Sequence, residues 1–362
     1  MNSHLKSLMS QAMQLTRSGN LQAATAAIQA ALGNQTQASP AANMPARSES
    51  DVIDVTAREV PGTGPESEAS VPPRSESSTP AAGRFISGSH RDAAGSRDFK
   101  LYIPPTAGDK PLPLVVMLHG CTQNPDDFAA GTTMNEAARA QGFFVLYPQQ
   151  STQMNPQRCW NWFKHSHQTR GRGEPGLLAG MTREVMSQHA IDPDRVYVAG
   201  LSAGGAMAAI LGESYPDLFA AVGVHSGLAA GMATDLPSAL SAMKGGGSRT
   251  RAQASGMPTI VFHGDADNTV HPLNGEQVIS ASTGKAAHVE VQQVKSAGVR
   301  TATRSTHRAA DGTVAAEHWL VHGSAHAWSG GSAQGSYTDS RGPDASAEMM
   351  RFFMEHPRRR AH

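Results

Sequence analysis

Gly200-Leu201-Ser202-Ala203-Gly204 is the segment of this sequence best suited to covalent chemistry. It lies between an apolar run at 195–199, which reads as a buried strand, and a segment of small apolar residues at 203–212, which reads as a helix. Glycines on both sides of Ser202 let the chain turn sharply, so that the hydroxyl projects from a strand end beside a helix N-terminus. A serine hydroxyl is a poor nucleophile at neutral pH and needs a base, and an acid to orient that base. Two carboxylates, Asp265 and Asp267, follow the apolar run 259–262, where the carboxyl end of a strand would present them. His322 and His326 follow a later run at 318–321. His322 still belongs to the strand end and reads as structural, whereas His326 sits in a Gly/Ser-rich loop free to reach back over Ser202.

Acyl transfer also requires two N–H groups aimed at the developing oxyanion. One falls naturally to Ala203, the residue after the nucleophile, and the other to the loop after an earlier strand, His119-Gly120-Cys121-Thr122, where Gly120 permits the turn and Cys121 N–H is the expected donor. Losing one such donor typically costs about 3 kcal/mol of transition-state stabilisation. His119 reads as a packing and hydrogen-bonding residue, not as a second base. Trp160 and Trp162, in CWNWF at 159–163, and Trp328, two positions past His326, are the candidate substrate-binding residues. The aromatic cluster can be a wall for an apolar acyl chain or a core cluster beneath a long loop, and residue type does not choose between them. Neither metal nor cofactor is expected: His165 and His167 lie in a polar stretch that reads as an exposed loop, and two cysteines cannot make a zinc site unaided.

The elements that must carry these residues alternate between strand and helix. An opening hairpin is expected from 85–87 and 99–103, and buried strands at 112–118, 143–147, 195–199, 219–224, 259–262 and 318–321. Helices are expected at 134–140, 177–189, 203–212 and 345–354. This rhythm predicts an α/β fold, a mostly parallel sheet with helices on both faces, over residues 84–362. A Gly/Ala/Ser-rich segment at 227–256 reads as a mobile excursion near the site. Residues 1–33 carry apolar positions three or four apart and read as an amphipathic helical hairpin, suited to docking on an apolar surface. Residues 34–83, with seven prolines and few apolar side chains, read as a flexible linker.

Composition removes whole classes of function. With 30 Lys and Arg against 30 Asp and Glu, the chain lacks the basic field that nucleic acid binding requires. No run of eighteen apolar residues can cross a bilayer. The amino-terminal stretch has no uninterrupted apolar core of the kind a secretory leader carries, and a cytoplasmic location is expected on that reading.

The chain resembles the α/β-hydrolase superfamily and, within it, the esterase and polyhydroxybutyrate depolymerase family. The likeness runs through LHGCTQN at 118–124, YPQQ at 147–150, CWNWF, YVAGLSAGGAM at 197–207, YPDLFAAV at 215–222 and GSAHAWSGG at 323–331, spread over residues 84–356. It implies an α/β-hydrolase fold and a Ser/His/Asp acyl-enzyme mechanism on carboxylic esters, carried by Ser202, His326 and an aspartate. The D-x-x-V formed by Asp267 and Val270 resembles the acid loop of the superfamily, which favours Asp267 and leaves Asp265 to brace the loop. The resemblance also implies a bridge between Cys121 and Cys159, at odds with a reducing cytoplasm. It is strongest to the intracellular depolymerases that mobilise amorphous poly(3-hydroxybutyrate), with residues 1–33 as the expected contact to the storage granule. Feruloyl, acetylxylan or short-chain acyl esters are the alternative substrates, and a non-catalytic granule-binding protein is the alternative of another class.

Overall fold

The computed structural model describes residues 82–358, apart from 94, 109, 250–252, 285–287 and 296–299. The expected helical hairpin at 1–33 and nearly all of the linker at 34–83 lie outside the described residues. Ten strands form one sheet in the order β1-β2-β4-β3-β5-β6-β7-β10-β9-β8. The strands are β1 (Arg84–Asp92), β2 (Gly95–Ile103), β3 (Leu112–Leu118), β4 (Phe144–Pro148), β5 (Ile191–Leu201), β6 (Ala221–His225), β7 (Thr259–Gly264), β8 (His288–Lys295), β9 (Thr301–Arg308) and β10 (Val314–Val321). The six central strands, β4-β3-β5-β6-β7-β10, are mutually parallel, and antiparallel hairpins extend both edges. A short parallel pair, β11 (Trp328–Ser329) with β12 (Thr338–Asp339), follows β10.

Seven helices lie among the described residues: α1 (Pro125–Thr132), α2 (Met134–Gln141), α3 (Gly173–Gln188), α4 (Ala203–Ser214), α5 (Leu236–Met243), α6 (Leu273–Thr283) and α7 (Ala345–Glu355). None of them is long and apolar enough to cross a membrane. The alternation of side chains along a strand divides the core into two layers. Leu114, Val116, Leu118, Val196 and Val198 meet Leu178, Met207 and Ile279 of α3, α4 and α6 on one face. Val115, Met117, Tyr197 and Ala199 meet Phe128, Ala138 and Phe353 of α1, α2 and α7 on the other. Burial on both faces is why these strands read as continuous apolar runs.

Three expectations are corrected. The segment 227–256 is no loose surface excursion, because Leu228, Ala229, Ala230, Met232 and Ala233 are buried in the core and α5 follows them. Asp235 caps that helix, accepting the Ser238 N–H at 2.9 Å. His165–His167 is a 3₁₀ turn whose His167 is buried against Glu174, not an exposed loop. The β8–β9 hairpin was not anticipated: β8 is largely exposed and β9 is mostly polar and half-buried, so neither shows the continuous apolar run of the central strands.

Candidate active site

Ser202 sits between β5 and α4 with φ 57° and ψ −118°, a conformation that a non-glycine residue adopts only when its surroundings impose it. The surroundings do so by close approach. A Cβ on Gly204 would lie 2.0 Å from the Leu118 carbonyl oxygen, and one on Gly200 would lie 2.4 Å from the Gly204 backbone. The two glycines therefore bring α4 hard against β3 and β5 and leave Ser202 at the apex. Its N–H donates to the His225 carbonyl at the end of β6, at 2.9 Å. No side chain caps α4, so the first-turn N–H groups, including that of Ala203, face the site with the positive end of the helix dipole.

The structure brings Asp267 and His326 together. His326 Nδ1 lies 2.7 Å from Asp267 Oδ2, and Asp267 Oδ1 accepts the N–H groups of Thr269 and Val270, both at 2.9 Å. Burial pushes the Asp267 carboxyl up, but the hydrogen bond and charge of His326, with the Val270 N–H, hold it below the usual carboxylate range. An ionised Asp267 fixes the proton of His326 on Nδ1 and leaves the Nε2 lone pair to act as a base. Asp265 serves elsewhere. It pairs with His322 Nδ1 at 2.9 Å and accepts the Gly323 N–H at 2.6 Å, bracing the base of the loop that carries His326.

The loop after β3 is held on all sides. Gln123 Oε1 accepts the Gly120 N–H at 2.9 Å and the Gln157 carbonyl accepts that of Thr122 at 2.6 Å, while Thr122 takes φ 67°. Among the described residues the Cys121 N–H, between those two, makes no such bond. A disulfide joins Cys121 to Cys159 and so ties this loop to the one after β4. His119 Nδ1 bonds the Gly120 carbonyl at 2.8 Å, and its Nε2 accepts the Gln150 N–H at 3.1 Å. Burial brings the His119 pKa down to about 4, so the ring is neutral and serves as scaffold. Behind it, Glu174 accepts hydrogen bonds from the Asn161 N–H at 2.7 Å and from the side chains of Asn161 and Gln150, with the buried Arg97 guanidinium at 3.5 Å. Sequence reasoning missed Gln150 and Glu174, because a buried polar network joins residues far apart in the chain and leaves no local pattern.

The tryptophans do not form a wall. Trp160 and Trp328 are fully buried, with indole N–H groups donating to the His119 carbonyl and to Ser346 Oγ, both at 3.1 Å, and Trp162 is 5% exposed. They are core residues beneath the loops and offer no surface to a substrate. The exposed apolar side chains on the connections leaving the carboxyl ends of the parallel strands include Met154, Leu236, Leu240, Leu273 and Tyr337. Leu236 and Leu240, one helical turn apart on α5, are each 54% exposed.

A His–Asp pair and a strained serine, each just past the carboxyl end of a parallel strand, agree with what comparison with known proteins finds. The family described as Esterase PHB depolymerase matches residues 97–305 of the chain. The chain belongs to this family. Among the curated members of the esterase and depolymerase group, poly(3-hydroxyalkanoate) depolymerase C of Paucimonas lemoignei is 34% identical over 227 residues, covering 59% of this chain and 54% of that protein. Feruloyl esterase B of Thermothelomyces thermophilus is 34% identical over 140 residues, 38% of this chain and 47% of that protein. The chain thus spans about half the length of these relatives. In fold it is similar to the acetyl xylan esterase from Aspergillus awamori, with a TM-score of 0.55 and 20% identity over 72% of this chain and 94% of that one. The fold is that of the α/β-hydrolase esterases.

Proposed function

We propose that the chain is a serine esterase that hydrolyses neutral polyesters of the poly(3-hydroxybutyrate) class. The 2.7 Å pair of His326 and Asp267, on a loop tied through His225 to the backbone of the strained Ser202, is the observation that carries this reading. His326 Nε2 takes the Ser202 proton as the hydroxyl oxygen attacks the ester carbonyl. The N–H groups of Cys121 and Ala203 receive the oxyanion, and His326 returns the proton to the leaving alcohol. Water, activated by the same histidine, then releases the hydroxyacyl group from Ser202.

The choice of substrate rests on the rim and on the relatives. Segments 149–157, 226–243 and 328–338 hold a single charged residue among them, Asp235, and display Met154, Leu236, Leu240 and Tyr337. Three segments so poor in charge suit an uncharged polymer chain better than a strongly charged substrate. The similarity to a poly(3-hydroxyalkanoate) depolymerase points the same way, and that to feruloyl esterase B supports a second reading, hydrolysis of small feruloyl or acetyl esters. Contact of residues 1–33 with a granule surface is part of the same proposal. Deleting residues 1–83 is then expected to lower activity on granules and spare p-nitrophenyl butyrate, and equal loss on both would reject that contact.

Acid release from amorphous poly(3-hydroxybutyrate), with Ser202→Ala and a feruloyl ester as controls, tests the reading. Serine-dependent release is expected. Rapid hydrolysis of the feruloyl ester with no release from the polymer would replace it by the second reading.

A further inference from the structure

His225 touches both halves of the candidate machinery, and neither half explains its side chain. Its backbone carbonyl, at the end of β6, accepts the N–H of Ser202 at 2.9 Å. Its ring Nε2 accepts the N–H of Ser329 at 2.9 Å, three residues past His326. The imidazole is 1% exposed and stacks on Trp328 and Phe262, with centroids 5.1 and 5.8 Å away. A backbone N–H only donates, so Nε2 must keep its lone pair and the ring proton resides on Nδ1, 3.3 Å from Ser226 Oγ. Ser226 itself has φ 48°, and its N–H is held by the Phe262 carbonyl at 2.8 Å, which fixes the backbone that aims the ring.

Among the hydrogen bonds that hold the loop carrying His326, two tie its ends to the carboxyl ends of neighbouring parallel strands, β7 and β6. On the near side, the Ser324 carbonyl accepts the Ala266 N–H at 3.1 Å, beside Asp267. On the far side, the Ser329 N–H meets His225. The near pin places His326 relative to its acid, and the far pin ties it to the end of β6, where the His225 carbonyl holds the Ser202 N–H. We propose that His225 is a positioning residue for ester hydrolysis, a neutral imidazole that registers the His326 loop to Ser202 through its Nε2 acceptor. This inference rests on the serine-esterase reading of the site. Burial, the largest influence, together with the neighbouring His263 and His326, holds the His225 ring well below the usual histidine range, against the opposing pull of Asp267, and so keeps the acceptor available at neutral pH.

Two variants at this position separate the acceptor from the stack. His225→Phe keeps an aromatic ring against Trp328 and removes the acceptor, whereas His225→Gln supplies an amide oxygen in its place. A third, Ser329→Pro, deletes the donor without changing residue 225, and because it also removes the Ser329 hydroxyl that donates to the Pro343 carbonyl at 2.7 Å, Ser329→Ala, which loses only that hydroxyl, is the baseline against which it is read. Misplacing a catalytic group by about 1 Å costs on the order of 10²-fold, so kcat on p-nitrophenyl butyrate should fall about that much in the Phe and Pro variants. KM should stay within about twofold, because the contact does not bind substrate. The rate at which an organophosphate labels Ser202 should fall in parallel, the Gln variant should regain most of the loss, and the Phe and Pro effects should not add. A kcat in Ser329→Pro no lower than in Ser329→Ala, or equal losses in the Phe and Gln variants, would overturn the proposal. The Ser329→Pro arm decides the matter even where His225→Phe does not fold. Activity retained in Ser202→Ala would instead defeat the reading of the site itself.

Discussion

Asp265 and Asp267 stand two residues apart on one loop, yet they face different histidines, and the consequences of removing them differ accordingly. Asp267→Asn leaves the shape of the pair intact but frees His326 to adopt the wrong tautomer, so kcat on a soluble ester should drop on the order of 10⁴-fold. Asp265→Asn loosens only the His322 and Gly323 contacts and should cost less than about tenfold. Steady-state kinetics of the two variants side by side checks both, and a larger effect at Asp265 would contradict the assignment. Ser202, His326 and the two aspartates were legible in the sequence because each follows an apolar run that ends where the chemistry begins. The tryptophans were not, since a core cluster and an exposed wall have the same composition and differ only in which side of the loop faces water. His225 was also illegible: its role depends on an imidazole nitrogen meeting a backbone N–H 104 residues away.

At the scale of elements, the site depends on how two loops are held over the end of β5. The Cys121–Cys159 bridge closes a loop with a sequence separation of 38 residues, which in the chain-entropy account confers about 4 kcal/mol. Replacing both cysteines by alanine should lower stability to chemical denaturant by an amount of that order and depress kcat as the Cys121 N–H loses its fixed direction. Unchanged stability and turnover would show that the hydrogen bonds of Gly120 and Thr122 suffice. The Glu174 carboxylate holds the other end of the loop after β4, and Glu174→Ala leaves the buried Arg97 without its anion, at a cost of about 3 to 5 kcal/mol. Denaturant unfolding of that variant measures the cost directly, and a loss below about 1 kcal/mol would contradict it. The central strands could be read from sequence because both of their faces are buried. The β8–β9 hairpin could not, because its pairing with β10 is made by backbone bonds that any sequence can supply.

For the molecule as a whole, the buried histidines set its response to acid. Burial holds His119, His225, His263 and His318 below the ordinary histidine value, His119 and His318 at about 4. In the unfolded chain each takes up a proton near the usual value of about 6.5. Between there and about 4 the unfolded state binds more protons than the folded state, so stability falls as pH falls, by about 3 kcal/mol for His119 alone. The carboxylates of Asp267 and Glu174, held below their ordinary range, continue the loss at lower pH as they are forced to protonate. The melting temperature should therefore drop steeply on going from neutral pH to below 5, and His318→Gln should flatten that drop. An identical slope in the variant would show that His318 does not titrate on unfolding. The α/β architecture that sets this burial was legible from the alternation of apolar runs with helical segments, while which histidines it encloses was not.

Mass spectrometry of the protein after brief exposure to an organophosphate ester, with the modified peptide sequenced, tests the central claim most directly. The account predicts a single adduct on Ser202, loss of ester hydrolysis in step with its formation, and much slower labelling in Asp267→Asn. An adduct on another residue, or full hydrolysis with Ser202 labelled, would contradict it.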